Sequence, residues 1–239
     1  MLEAIHYIPI VTSLLALVFA AILFRRWREK PQATYLAWWS LGVLLYGVGT
    51  ICESLTTLFG WNAAVFRVWY ISGALLGAAP LAQGTVYLIL PKRIANWLSV
   101  ALCSVIAIAA VCALLTPLDT SLVEAQRLSG KIMVWQWVRL FSPFVNVYAL
   151  GFLVGGAAWS AWEYWRRRGF GTRVLGNVFI AAGGLLPGVG GSFTRIGYIE
   201  VLYVTEIIGI LLIWLGYRVM ATDRRISIHR AQRKAHEGI

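Results

Sequence analysis

Seven apolar runs separated by short connections fill almost all of the 239 residues, and they leave few ways for the chain to fold. The runs lie at about 5–24, 33–52, 63–90, 95–115, 139–165, 174–193 and 198–220. At a rise of 1.5 Å per residue, about 20 helical residues cross a hydrocarbon core of roughly 30 Å. Lipid offers no hydrogen bonds to the backbone, so runs of this length fold as helices. The expected fold is therefore an all-α membrane protein. It is a seven-transmembrane-helix bundle over residues 1–220 with a basic tail over 221–239. Only 13% of residues are charged, against roughly 25% in a soluble domain. No stretch is left for a separate soluble domain of about 50 residues.

The third run, Asn62 to Leu90, is too long and too polar for a plain lipid-facing span. It contains Arg67, Gln83, the pair Gly73 and Gly77, and Pro80. Hydrocarbon accommodates such groups where neighbouring helices supply partners, which predicts a central helix, tilted or kinked. Gln83, with Thr85 and Tyr87, reads as a helix–helix hydrogen-bonding group. The sixth run sets Gly176, Gly183, Gly184, Gly188, Gly190 and Gly191 around Pro187. That pattern predicts close backbone packing with a kink, and makes this the span expected to be broken. The GxxxG pairs Gly73/Gly77 and Gly151/Gly155 are read as packing within the bundle, with a homodimer face as the alternative. The fourth run is the most uniformly apolar and is expected to face lipid.

Charge supplies an orientation. Of 21 Lys and Arg residues, 16 fall in alternate connections and the tail: Arg25 to Lys30, Lys92 and Arg93, Arg166 to Arg173, and from Arg218 onward. The positive-inside rule then predicts the N-terminus outside and the C-terminus cytoplasmic. The net charge of +11 is thereby a matter of topology, and nucleic acid is not an expected partner. The first run is followed by positive charges, the reverse of a cleaved signal peptide, so a retained anchor is expected. The connection from Thr116 to Val138 falls outside and is expected to carry an interfacial helix near Trp135 and Trp137. Trp159, Trp162 and Trp165 read as an aromatic belt at the inner boundary. The tail is expected to bind anionic headgroups.

Residue types exclude several chemistries. All four lysines, Lys30, Lys92, Lys131 and Lys234, lie in connections or tail, so a retinal Schiff base has no nucleophile in a span. His6 is the one histidine near a span, and paired histidines for haem are not available. The runs contain no Asp, and neither HExxH nor GxSxG occurs. Cys52, Cys103 and Cys112 lack CxxC spacing and read as small buried hydrophobes. The expectation is a non-enzymatic protein without cofactor or metal.

What remains is polar residues at similar depth. Glu53 ends the second run, Arg67 opens the third, Arg195 ends the sixth, and Glu200 and Glu206 begin the seventh. Asn146, Tyr70, Tyr198 and Tyr203 lie at matching depth. These residues predict an outward-facing polar pocket of Glu53, Arg67, Tyr70, Asn146, Arg195, Tyr203 and Glu206, with Arg67 or Arg195 as the partner of Glu206. Interhelical ion pairs that fix helix register are the alternative.

In layout the chain resembles the seven-transmembrane sensor region that precedes some bacterial histidine kinases and diguanylate cyclases. The likeness covers roughly residues 5 to 93. It rests on the basic connection after the first run, the segment AWWSLGVLLYGVGTICESL ending near Glu53, and a third run that opens with FRVWY and closes with GTVYLILPKR. The third run is similar to that of uncharacterised bacterial membrane proteins as well. The sensor resemblance implies that the helices receive an external or membrane signal. With no output domain in this sequence, it implies a module that signals through a protein partner in the membrane or at its cytoplasmic face. An accessory subunit of a larger membrane complex and a small-solute transporter are the rival functions.

Overall fold

The computed structural model describes residues 4–124, 127–169, 171–194 and 196–236, with side chains as far as residue 222. Among them, seven helical segments are long and apolar enough to cross a membrane. The first follows a 3-10 turn and is α1 (Ile8–Glu29); the second is α2 (Thr34–Phe59). Several of their hydroxyls are satisfied locally or across the pair, as a lipid surrounding favours. Ser13 and Ser54 donate to carbonyls one turn back, while the hydroxyls of Ser13 and Thr50 meet across the two helices at 2.9 Å.

The third span is broken. Asn62 caps α3 (Ala63–Trp69) by accepting from the backbone N–H of Ala64 and Val65. A π-helical turn over Tyr70–Leu76 follows, and the chain then passes through Gly77 at φ +44°. Only glycine takes that conformation without a steric cost. α4 (Ala79–Ile89) restarts with Pro80 in its first turn, where a missing N–H costs nothing. Pro80 therefore starts a helix, and the break belongs to Gly77. The expectation of a central helix holds for α4, whose residues Ala79 to Val86 are all buried. It packs against α2, α5 (Lys92–Leu115), and the fifth span.

The fifth span runs unbroken over Gln136–Arg168: a 3-10 turn, α6 (Phe141–Ala149), a π-helical turn over Leu150–Gly155, and α7 (Gly156–Arg168). The sixth, α8 (Thr172–Thr194), is continuous with Pro187 inside it, which corrects the expectation that this span is the broken one. Its partner explains why. The Pro187 ring lies against Gly209 of α9 (Ile199–His236), where a side chain would collide with it.

That contact belongs to a seam. Gly176, Gly183 and Gly190 recur every seven residues on α8 and meet Gly216, Gly209 and Leu202, also seven apart, on α9. A Cβ at Gly183 would stand 2.6 Å from the Gly209 carbonyl oxygen, and one at Gly216 would stand 2.5 Å from the Gly176 oxygen. The two backbones touch, as small residues in membrane helices allow.

The spans close into a ring in the order α1, α2, α4, the fifth span, α8 and α9, with α9 returning to α1. A small apolar crevice at its centre is lined from every side, by Phe19, Trp39, Leu81, Leu153, Ile180 and Ile213 among others. α5 lies outside the ring against the third span. Only Ala95, Leu102, Ala109 and Ala113 of this helix are buried, in accord with a lipid-facing span. Cys103 is exposed on it and Cys52 is buried in α2, so the expectation for cysteines holds only in part.

Among its described residues, the connection between α5 and α6 forms no interfacial α-helix. It consists of 3-10 turns and two isolated antiparallel bridges, Leu118 to Met133 and Glu124 to Arg127. Ile132 and Met133 are buried beneath it, and Trp135 stacks on Trp137 at the exposed rim. Asp119 accepts from the hydroxyl and N–H of Ser121, which hold its carboxyl below the usual range. At the opposite, arginine-rich end, α9 continues without interruption through the basic residues to His236, so the tail extends the seventh span.

Candidate functional site

The polar chemistry at the loop end of the bundle gathers on the face that α2 turns toward α9. Glu53 lies in the last two turns of α2. Glu206 is the eighth residue of α9, roughly 10 Å along its axis. Their carboxyl groups face one another within hydrogen-bonding reach. Both residues are buried, 7% and 9% exposed. One oxygen of Glu53 accepts from the indole N–H of Trp69 at 3.0 Å. The other, Oε2, and Oε2 of Glu206 are buried with no donor.

Residues seven apart on a helix share a face, and Tyr46 precedes Glu53 by seven. Its hydroxyl donates to the backbone oxygen of Glu206 at 2.9 Å. Tyr203, one turn before Glu206, is 1% exposed and packs edge-on to the His6 ring at 6.1 Å. His6 Nδ1 is likewise buried without a partner among the described residues, and the Thr57 hydroxyl lies beside that of Tyr203. Three elements thus meet α9 at this cluster or flank it: α2 with Tyr46, Glu53 and Thr57, the N-terminal 3-10 turn with His6, and α3, whose Trp69 reaches Glu53.

The other expected pocket residues go elsewhere. Arg67 points away from both glutamates and donates to the carbonyls of Ala113 at 2.6 Å and Thr116 at 2.9 Å, capping the C-terminus of α5. A guanidinium suits that place, since the last carbonyls of a helix lack intrahelical donors and carry its negative dipole end. Arg127 does the same at the end of α8, donating to the Thr194 carbonyl. Tyr70 is buried toward α6, its hydroxyl 3.4 Å from that of Ser142. Asn146 stands beside Gly77, where a Cβ would come within 3.2 Å of its Oδ1. Arg195 falls outside the described residues. Of the seven expected residues, Glu53, Tyr203 and Glu206 come together, and the partner expected for Glu206 in Arg67 is not there. The site is an enclosed acid pair rather than an open charged pocket.

Sequence reasoning missed Tyr46, Trp69, Thr57 and His6. Tyr46 was within reach through its seven-residue spacing to Glu53. Trp69 and His6 were not, because they depend on how α3 and the N-terminal turn fold over the end of α2.

At mid-depth a second polar network is fully satisfied. Gln83 is completely buried and donates to the Ala95 carbonyl at 3.0 Å and the Ser99 hydroxyl at 2.7 Å, and its own oxygen accepts from Tyr148. Tyr87 donates to Asn96 at 2.8 Å. This network ties α4 to α5 and α6, as the sequence predicts for Gln83. Among the described residues, no group of three or more His, Cys, Asp or Glu side chains is arranged to hold a metal. The seven spans mark a multi-pass membrane protein. No family model matches the chain, and neither a curated protein nor a solved structure matches it.

Proposed function

We propose that this is a non-enzymatic seven-helix sensor of receptor type, which receives its signal at the Glu53–Glu206 cluster and passes it to a protein partner through α9. The observation that carries this is α9 itself. One continuous helix bears Glu206 near its start and the basic extension to His236 at its end. Intramembrane carboxyls without a cationic partner are costly, and their usual justification is function. The glycine seam makes α8 and α9 a unit that moves as one piece. On its other side α9 meets α1 through side chains, with Phe19 stacked on Trp214 at 5.5 Å and Arg26 donating to the Tyr217 hydroxyl at 2.8 Å.

The distribution of Lys and Arg favours placing the loop end outside and the C-terminus in the cytoplasm of a bacterial inner membrane. The layout that resembles kinase-linked sensor regions favours the sensor role. Spin labels at Lys30 and Thr222, with the three native cysteines replaced, report the distance between α1 and α9 at the arginine-rich end in lipid nanodiscs. Glu53→Gln and Glu206→Gln are expected to shift that distance distribution. An unshifted distribution in both variants overturns the proposal.

A further inference from the structure

We propose that the Glu53–Glu206 pair is a proton-binding site, in which one exchangeable proton bridges the two buried carboxyls and joins α2 to α9. The proposal rests on the sensor function only in taking this pair as the input. The ligand follows from hydrogen-bond accounting. Glu53 Oε2 and Glu206 Oε2 are both buried acceptors, and neither has a donor among the described residues. They belong to carboxyls that face each other. Buried acceptors are nearly always satisfied, and two negative charges in contact away from water repel strongly. A single proton answers both: it supplies the missing donor and removes one of the charges.

Among the described residues the surroundings offer no other cation, and no Lys, Arg or His ion-pairs with either glutamate. From α2 the groups facing the pair are Tyr46, which donates to the Glu206 backbone, and Cys52. From α9 they are Tyr203 and, farther off, Glu200. α3 presents the Trp69 indole, while its Arg67 is committed to α5. The N-terminal turn presents His6, against Tyr203 rather than against a carboxyl. α1 contributes Ser13, bonded to Thr50. Its charged residues Arg25 to Glu29 lie at the far end. Metal coordination is not supported, since no third carboxylate, His or Cys completes a set among the described residues.

The test is infrared difference spectroscopy of the full-length protein in nanodiscs across a pH series, with and without ¹³C-carboxyl glutamate. A protonated carboxyl shows a C=O stretch that an ionised one lacks. The expected result is such a band, moved by the glutamate label, diminishing as pH rises and absent from the double variant Glu53→Gln with Glu206→Gln. In Glu206→Gln alone the band should change frequency, because the bridging partner is no longer a carboxylate. Only ionised carboxylate signals at every pH at which the protein is folded would overturn the proposal. A band unaltered in these variants would overturn it equally. Loss of the band on replacing potassium with sodium at fixed ionic strength would mark a metal-cation site, and so overturn it too. If the double variant does not fold, the label shift in the wild type and the single variant decide. The spin-label distance on the same samples keeps the two claims apart. A band without movement leaves the proton site and removes the sensor, whereas movement without a band does the reverse.

Discussion

α9 meets its neighbours in two different ways. Toward α8 it presents Gly209 and Gly216, and the helices approach until backbone touches backbone. Toward α2 it presents Tyr203 and Glu206, and there the contact is made of side chains, several of them without hydrogen-bond partners. Backbone contact leaves no rotamers to change, so the α8 seam has one arrangement. Polar side chains with unmet bonds have more than one arrangement of similar energy, and a proton, ion or small molecule can select among them. The same helix is therefore anchored on one face and adjustable on the other.

The largest expected effect breaks the anchored face. Gly183→Val places a branched side chain 2.6 Å from the Gly209 oxygen and 3.0 Å from the Ile213 nitrogen, neither of which can turn aside. Overpacking of this kind costs about 3 kcal/mol, measurable by steric trapping in bicelles. A loss below about 1 kcal/mol would mean that the seam opens easily and is not an anchor.

Arg67→Ala comes next, at about 2 kcal/mol, because two carbonyls at the end of α5 lose charged donors. The spin-label distance between Lys30 and Thr222 should not change in this variant. If it does, Arg67 is coupled to the acid pair after all, and the adjustable face is wider than Glu53, Tyr46, Tyr203 and Glu206.

How much of this was legible in the sequence follows from the range of each signal. Spans are local, since apolar length alone specifies them, and the described residues hold seven helices long and apolar enough to cross a membrane. The seam was half legible. Glycines in α8 announce close packing, but they do not name Gly209 and Gly216 as the surface they meet. Pro187 reads as a break because the rule for proline concerns its own helix. The structure accommodates its ring in the notch at Gly209 on another. The charged pocket failed in a similar way. Equal depth brings Arg67 and Glu206 to one level of the membrane without saying on which side of α3 the arginine projects. Helix C-termini are strong competitors for arginine, and two of them took Arg67 and Arg127. What survived is the pair of acids, which face one another instead of a cation.

The adjustable face is sharpened by Tyr46→Phe. The hydroxyl gives up one neutral hydrogen bond, to the Glu206 carbonyl, worth about 1 kcal/mol. In a sensor this bond also resists motion of α9, so the variant should shift the Lys30 to Thr222 distance in the same direction as Glu206→Gln. Stability loss with no shift would assign Tyr46 to packing alone.

The smallest effect tests whether glycine content or glycine position makes the seam. Gly191 belongs to the same glycine-rich stretch as Gly190, yet a Cβ there meets nothing within 4 Å. Alanine is favoured over glycine in a helix interior by roughly 1 kcal/mol in water, and much of that preference is lost where the helix is already held by its neighbours. Gly191→Ala should therefore change stability by less than about 0.5 kcal/mol. A Cβ at Gly190, by contrast, would run into Thr205 and the Leu202 backbone. If Gly191→Ala costs as much as Gly190→Ala, then α8 needs its glycines for flexibility along its length. In that event the anchored face is no stiffer than the polar one. If the two variants differ as expected, rigidity resides in the three glycines that repeat every seven residues, and the others in the run are free to vary.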